Sequence, residues 1–124
     1  MVTSLDKFAS QFFSMNEDIV ILCTCSSSEE AVRLARLLVE QRLAACVNAI
    51  PQVRSTYRWQ GAVETADEVL LIIKTARALF DSVEQALRGA HSYEVPEIIA
   101  LPIAAGSAPY LAWLRANIHP GAAE

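Results

Sequence analysis

The sequence predicts an α+β sandwich of the split βαβ kind, with helices on one face of a sheet, a long protruding β-hairpin and an extra C-terminal helix. Three observations predict it. The elements read in the order strand, helix, long strand, hairpin partner, helix, strand, helix. Both internal helices carry a single apolar face. Right-handed crossovers applied to that order leave few arrangements, and this one fits. At 124 residues the chain holds one domain, placed at 18–124, with residues 1–17 read as a flexible N-terminal tail. That tail carries Phe8, Phe12 and Phe13 but only one Lys and no continuous apolar stretch, so it does not read as a secretory signal; Met15 is an alternative start.

The first strand is the β-branched run Ile19 to Cys23, the pattern of a central strand covered on both faces. Ser27 followed three residues later by Glu30 forms a capping box, so a helix begins there. Ala31, Val32, Ala35, Leu38 and Val39 are assigned to its buried face, with Glu29–Arg33 and Arg36–Glu40 pairs opposite. Leu43 to Ile50 returns to a strand. Beyond Pro51 the pattern alternates, with Val53, Ser55, Tyr57 and Trp59 on one face and Arg54, Thr56 and Arg58 on the other. Proline cannot donate to the ladder, so Pro51 marks a bulge in one long bent strand. Gln60-Gly61 closes the hairpin, and its return arm runs from Val63 into the apolar stretch Val69 to Ile73.

Leu79, Phe80, Val83 and Leu87 define the second helix, with Arg88 near its C-terminus and Gly89 as a left-handed cap. Ala90 to Glu97 is a loop held by Pro96, and Ile98 to Ile103 is the last strand, which Pro102 places at an edge. Ser107 caps the final helix, Pro109 sits in its first turn, Leu111, Leu114 and Ile118 share a face, and Pro120-Gly121 ends it.

Composition narrows the function. Apolar residues make up 53%, yet no run approaches the roughly 18 residues of a membrane span. A net charge of −4 with acids and bases interspersed lacks the basic stripe that nucleic acid requires. Three cysteines, Cys23, Cys25 and Cys46, all in apolar segments, fit buried free thiols and a cytoplasmic protein. The nine residues Gln52 to Gln60 extend roughly 30 Å, and a two-stranded arm of that kind is marginal alone in water. It also carries Tyr57 and Trp59, which a single subunit would leave exposed. Neighbouring subunits supply the missing cover in this reading; the alternative is that the arm curls back over its own sheet.

The chain resembles the CutA divalent-cation-tolerance family over nearly its whole length after Asp18. The matching stretches are Val20-Ile-Leu-Cys-Thr24, Leu43-Ala-Ala-Cys-Val47, Tyr57-Arg-Trp-Gln-Gly61 and Leu71-Ile-Ile-Lys-Thr75. His91-Ser-Tyr-Glu-Val-Pro-Glu97, Leu101-Pro-Ile103 and Tyr110-Leu-Ala-Trp-Leu114 continue them. The resemblance implies a ferredoxin-like homotrimer, a part in tolerance of divalent metals, chiefly copper, and no catalytic activity. It also implies a copper(II) site, or one for another divalent cation, at Cys23 and His91. Ala90 stands where some members have a second histidine, which leaves the site open to completion by water or a neighbouring subunit.

The residues themselves allow that site. The first and last strands are antiparallel neighbours in this topology, so the end of the first lies near the start of the last. Cys23 and His91 can therefore meet there, Cys25 shares the face of Cys23, and Glu97 can add a carboxylate. Thiolate and imidazole are ligands that copper takes readily. The plainer reading is that Cys23 is a small core hydrophobe and His91 bonds to backbone. No spacing matches a structural zinc site.

Other chemistries find little. The glycines are too scattered for a phosphate loop, and neither His91 nor His119 has a nucleophile and orienting acid nearby. Glu64, Glu68, Glu94 and Glu97 read by default as surface carboxylates, and Lys74 as solvated. The alternative function is that of a trimeric PII-like signalling module or scaffold binding a small molecule between subunits, with Arg54 and Arg58 as its basic groups. A ferredoxin-like acylphosphatase would need an anion cradle, and Asn48 and Arg54 do not lie in one.

Overall fold

The computed structural model describes residues 18–120. The expected tail at 1–17, the alternative start and Gly121 lie outside the described residues. The elements are β1 (Asp18–Cys25), α1 (Ser28–Glu40), β2 (Cys46–Trp59), β3 (Ala62–Ala76), a 3-10 turn (Arg77–Leu79), α2 (Phe80–Ala90), β4 (Ile99–Pro102) and α3 (Ala108–Ala116). They form one sheet in the order β2-β3-β1-β4, every neighbouring pair antiparallel. This is the expected split βαβ sandwich, hairpin and extra helix included.

β1 alternates between buried and half-buried residues instead of being covered on both sides. Ile19, Ile21, Cys23 and Cys25 face the core with Leu71 and Ile73 of β3, and α1 and α2 close over them with Leu34, Leu38, Val83 and Leu87. Side chains of this size contribute about 1.5–3 kcal/mol each when fully buried. The other face shows Val20, Leu22, Leu70, Ile72 and Lys74 half-covered, flanked by exposed Ile50 on β2 and by Ile99 and Leu101 on β4. Lys74 is thus not simply solvated; its Nζ donates to Asn48 Oδ1 across the strand pair.

Ser27 does cap α1, its Oγ accepting from Glu30 N at 3.1 Å. The buried stripe is Ala31, Leu34 and Leu38, however, while Val32 and Val39 are 59% and 41% exposed. α1 is apolar at most positions between Ala31 and Val39, so periodicity alone allows more than one stripe and packing on the sheet selects it. Arg36 pairs with Glu40 at 2.7 Å as expected. Arg33 turns instead to Glu30 and to the carbonyl of Ala90.

β2 begins at Cys46, later than the expected Leu43, because Leu43 and Ala44 donate their amides to Leu38 O beyond the end of α1. The bend at Pro51 is a bulge: the register jumps between Ile50 and Val53, so Pro51 and Gln52 together oppose Val69 alone. Gln52 absorbs it with φ of 61°. At the tip Gln60 and Gly61 have φ of 49° and 82°, the left-handed pair that a two-residue hairpin with right-handed strand twist needs.

α2 buries Val83 and Leu87 and runs through Gly89 to Ala90. Gly89 is therefore not the left-handed cap; His91, extended, ends the helix and donates its N–H to Leu87 O at 2.8 Å. Ser107 starts α3 with its carbonyl, which accepts from Leu111 N, not with its side chain. Leu114 and Ile118 join Ala76 and Leu79 in a second small core, and Arg115 pairs with Asp18 at the start of β1.

Candidate metal centre

β1 and β4 pair as Leu22 with Ile99, which sets Glu97 and Ile98 beyond the start of β4 beside the end of β1. Cys23 is fully buried on the core face, its Sγ 3.8 Å from the Thr24 carbonyl oxygen. Burial, then the charges of Cys25, Glu97, Glu30 and Glu68, push its thiol from 9.0 up to about 12. Cys23 and Glu97 thus lie close enough to feel one another. Desolvation keeps Cys23 protonated in the metal-free protein.

The His91 side chain is enclosed and held at both nitrogens. Nδ1 accepts from Tyr93 N at 3.0 Å, so Nε2 carries the proton and donates to Thr24 O at 2.8 Å. A backbone carbonyl fixing one imidazole N–H is the outer-shell arrangement that leaves the other nitrogen as the ligand atom. Here Tyr93 N–H occupies that lone pair, and the Tyr93 ring sits 4.7 Å from the imidazole. The chain draws Cys23, His91 and Glu97 to one end of the sheet. Among the described residues, no three His, Cys, Asp or Glu side chains form a group able to hold a metal. Thiol, imidazole and carboxylate are donor types that copper accepts.

Two carboxylates organise this end, and sequence reasoning missed both roles. Glu30, 5% exposed, accepts from Ser26 N (3.0 Å), Ser26 Oγ (3.1 Å), Ser92 N (2.7 Å) and Ser92 Oγ (3.0 Å). Burial alone would raise its carboxyl, but these bonds hold it down to about 2. It fastens the start of the 91–97 loop to the start of α1. The capping-box pattern flagged Glu30, but its reach to Ser92 spans 62 residues of sequence. Glu68, taken for a surface carboxylate, is 8% exposed and accepts from Tyr93 Oη at 2.7 Å. Burial and then this bond raise the Tyr93 phenol.

Residues 19–117 match the family described as CutA1 divalent ion tolerance protein. The chain is 50% identical over 98 residues to the "Divalent-cation tolerance protein CutA" of Thermus thermophilus, covering 79% of this chain and 95% of that one. It is 49% identical over 92 residues to human "Protein CutA", covering 74% of this chain and 51% of that one. The chain therefore spans nearly all of the bacterial relative and about half of the human one. The solved divalent cation tolerance protein (Cut A1) of Thermus thermophilus superposes with a TM-score of 0.81 at 48% identity, over 82% of this chain and 99% of that one. CutA1 from Oryza sativa superposes with 0.82 at 42% identity, over 85% and 96%.

Proposed function

The chain belongs to the CutA1 divalent ion tolerance family, and from that premise we propose that it acts in tolerance of divalent cations as a non-enzymatic, cytoplasmic homotrimer that binds copper(II). Cys23, His91 and Glu97 are the ligands in this reading, and a neighbouring subunit or water completes the shell. The observation that carries it is the tautomer of His91: the Nε2–H bond to Thr24 O leaves Nδ1 as the basic nitrogen, 4.0 Å from Glu30 Oε2, and the same Thr24 carbonyl lies 3.8 Å from Cys23 Sγ. A bound cation would stand in place of the Tyr93 amide at Nδ1 and hold Cys23 as its thiolate, the thiol proton being released to solvent.

The trimer is supported by the uncovered sheet face. Ile99 and Leu101 are 50% and 51% exposed, and Tyr57 and Trp59 on the arm are exposed with them. Such a continuous apolar surface is unusual on a lone subunit. Three free cysteines support a reducing compartment, and among the described residues no helix is long and apolar enough to cross a membrane.

Copper(II) titrated into the full chain by calorimetry, with mass read by sedimentation, tests both parts. Cys23→Ser and His91→Ala are each expected to weaken binding, on a background of three chain masses. Isotherms unchanged in both variants sink the metal site; a stable monomer sinks the assembly.

A further inference from the structure

A cavity of about 680 Å³ opens between the start of α1 and the bulge in β2, apart from His91. That is room for a small molecule. Its walls include Ser26, Ser27, Ser28, Gln52, Arg54 and Glu68.

The walls carry opposite charge, a buried carboxylate on one side and an exposed guanidinium on the other. On one side, Glu68 is more than nine-tenths buried, and only its Oε2 is bonded, to Tyr93 Oη. Among the described residues no donor meets Oε1. A buried carboxylate left half-supplied is costly, and a donor entering the cavity would relieve it. On the other side, Arg54 uses only Nε, bonded to Asp67 Oδ1 at 3.3 Å; no described acceptor meets its two terminal amino groups. The first turn of α1 adds further donors. Glu30 N is capped by Ser27 Oγ and Ala31 N bonds to Ser27 O, which leaves the amides of Ser28 and Glu29 without an intrahelical partner.

We propose that this cavity binds a small zwitterion, an α-amino acid or a short relative of one. Its ammonium group donates to Glu68 Oε1, and its carboxylate accepts from Arg54 and the first amides of α1. A simple anion would meet the half-supplied carboxylate of Glu68, and a simple cation would meet Arg54 and the positive end of the helix. Only a ligand with both charges satisfies both walls. Gln52, a non-glycine residue in left-handed backbone on the cavity wall, is the kind of strained position that clusters at binding sites.

The experiment is a thermal-shift screen of the full chain against the proteinogenic amino acids, followed by calorimetry on the best binder. The same ligand lacking its amino group, and the same ligand lacking its carboxylate, are titrated beside it. At least one amino acid is expected to bind, and each single-charge analogue to bind roughly tenfold or more weakly, as expected for loss of a charge-assisted hydrogen bond. Glu68→Gln and Arg54→Ala should each lose a similar factor, and Arg54→Ala, away from the residues around His91, should retain the parent's assembly mass and copper isotherm. Arg54 is exposed, so its variant tests the site even where Glu68→Gln perturbs folding. No amino acid binding, an analogue binding as tightly as its parent, or Arg54→Ala binding like the parent protein would each overturn the proposal. Because copper is followed separately, failure here and failure of the metal reading are distinguishable.

Discussion

Leu71 and Ile72 are neighbours on β3, alike in size and hydrophobicity, and they point to opposite faces of the sheet. Leu71 packs beneath the helices with no exposure, among Cys23, Leu34 and Leu87. Ile72 lies opposite Leu22 and Asn48 on the face that no helix among the described residues covers. The same chemistry holds the chain together on one side and stays half-covered on the other. Among the described residues the helices cover one face only of a sheet that is apolar on both.

Substitutions on the two faces should separate those roles. The largest expected effect is from Leu71→Ala, which should cost about 2–5 kcal/mol in denaturant unfolding through lost transfer energy and a cavity. Ile72→Asp should keep the native circular dichroism but lower the mass seen by sedimentation. If Ile72→Asp keeps the full assembly mass, the open face is not the interface and the contrast between the faces fails.

A smaller effect is expected at the end of the sheet where the faces meet the 91–97 loop. Glu30 has its carboxyl held at about 2, below its ordinary 4.5. The stabilisation it brings is therefore present above the unfolded value and disappears as pH falls from about 4.5 towards 2. Glu30→Gln should cost about 2 kcal/mol at neutral pH and flatten the acid side of the stability profile. A variant whose acid unfolding matches the parent's would show that Glu30 carries no such linkage.

The smallest effect is kinetic. Cys46 is half-buried, whereas Cys23 and Cys25 are fully enclosed and their thiols raised mainly by burial. Under native conditions near pH 8, iodoacetamide should modify Cys46 first and reach the other two only on unfolding. Early labelling of Cys23, read by mass spectrometry, would mean that the covered face opens far more readily than its packing implies.

Features carried by local chemistry were legible in the sequence. Ser27 with Glu30 gave the start of α1, Pro51 the bulge, and Gln60-Gly61 the turn, because each depends on a few adjacent residues. Which stripe of α1 is buried was not legible, since Val32, Leu34 and Val39 are equally apolar and only the sheet decides among them. Gly89 misled because a glycine near a helix end signals a cap only when the chain turns left-handed there, and this one continues to Ala90. The candidate site was half legible. Antiparallel pairing of the outer strands places Cys23 near Glu97, but the bonds that Tyr93 makes to His91 and Glu68 join segments far apart in sequence, and no local pattern encodes them.

The bulge at Pro51-Gln52 bears on geometry more than on stability. Tyr57 stays opposite Glu64 and Trp59 opposite Ala62 whatever happens at the root of the arm, because the turn sets that pairing. What the extra residue governs is the direction in which the arm leaves the sheet. Copies joined head to tail close into a ring only if each turns by the right fraction of a circle; any other angle propagates as an open filament. One glutamine in left-handed backbone thus acts as a protractor for the arm, and any assembly built through that arm would take its angle from it.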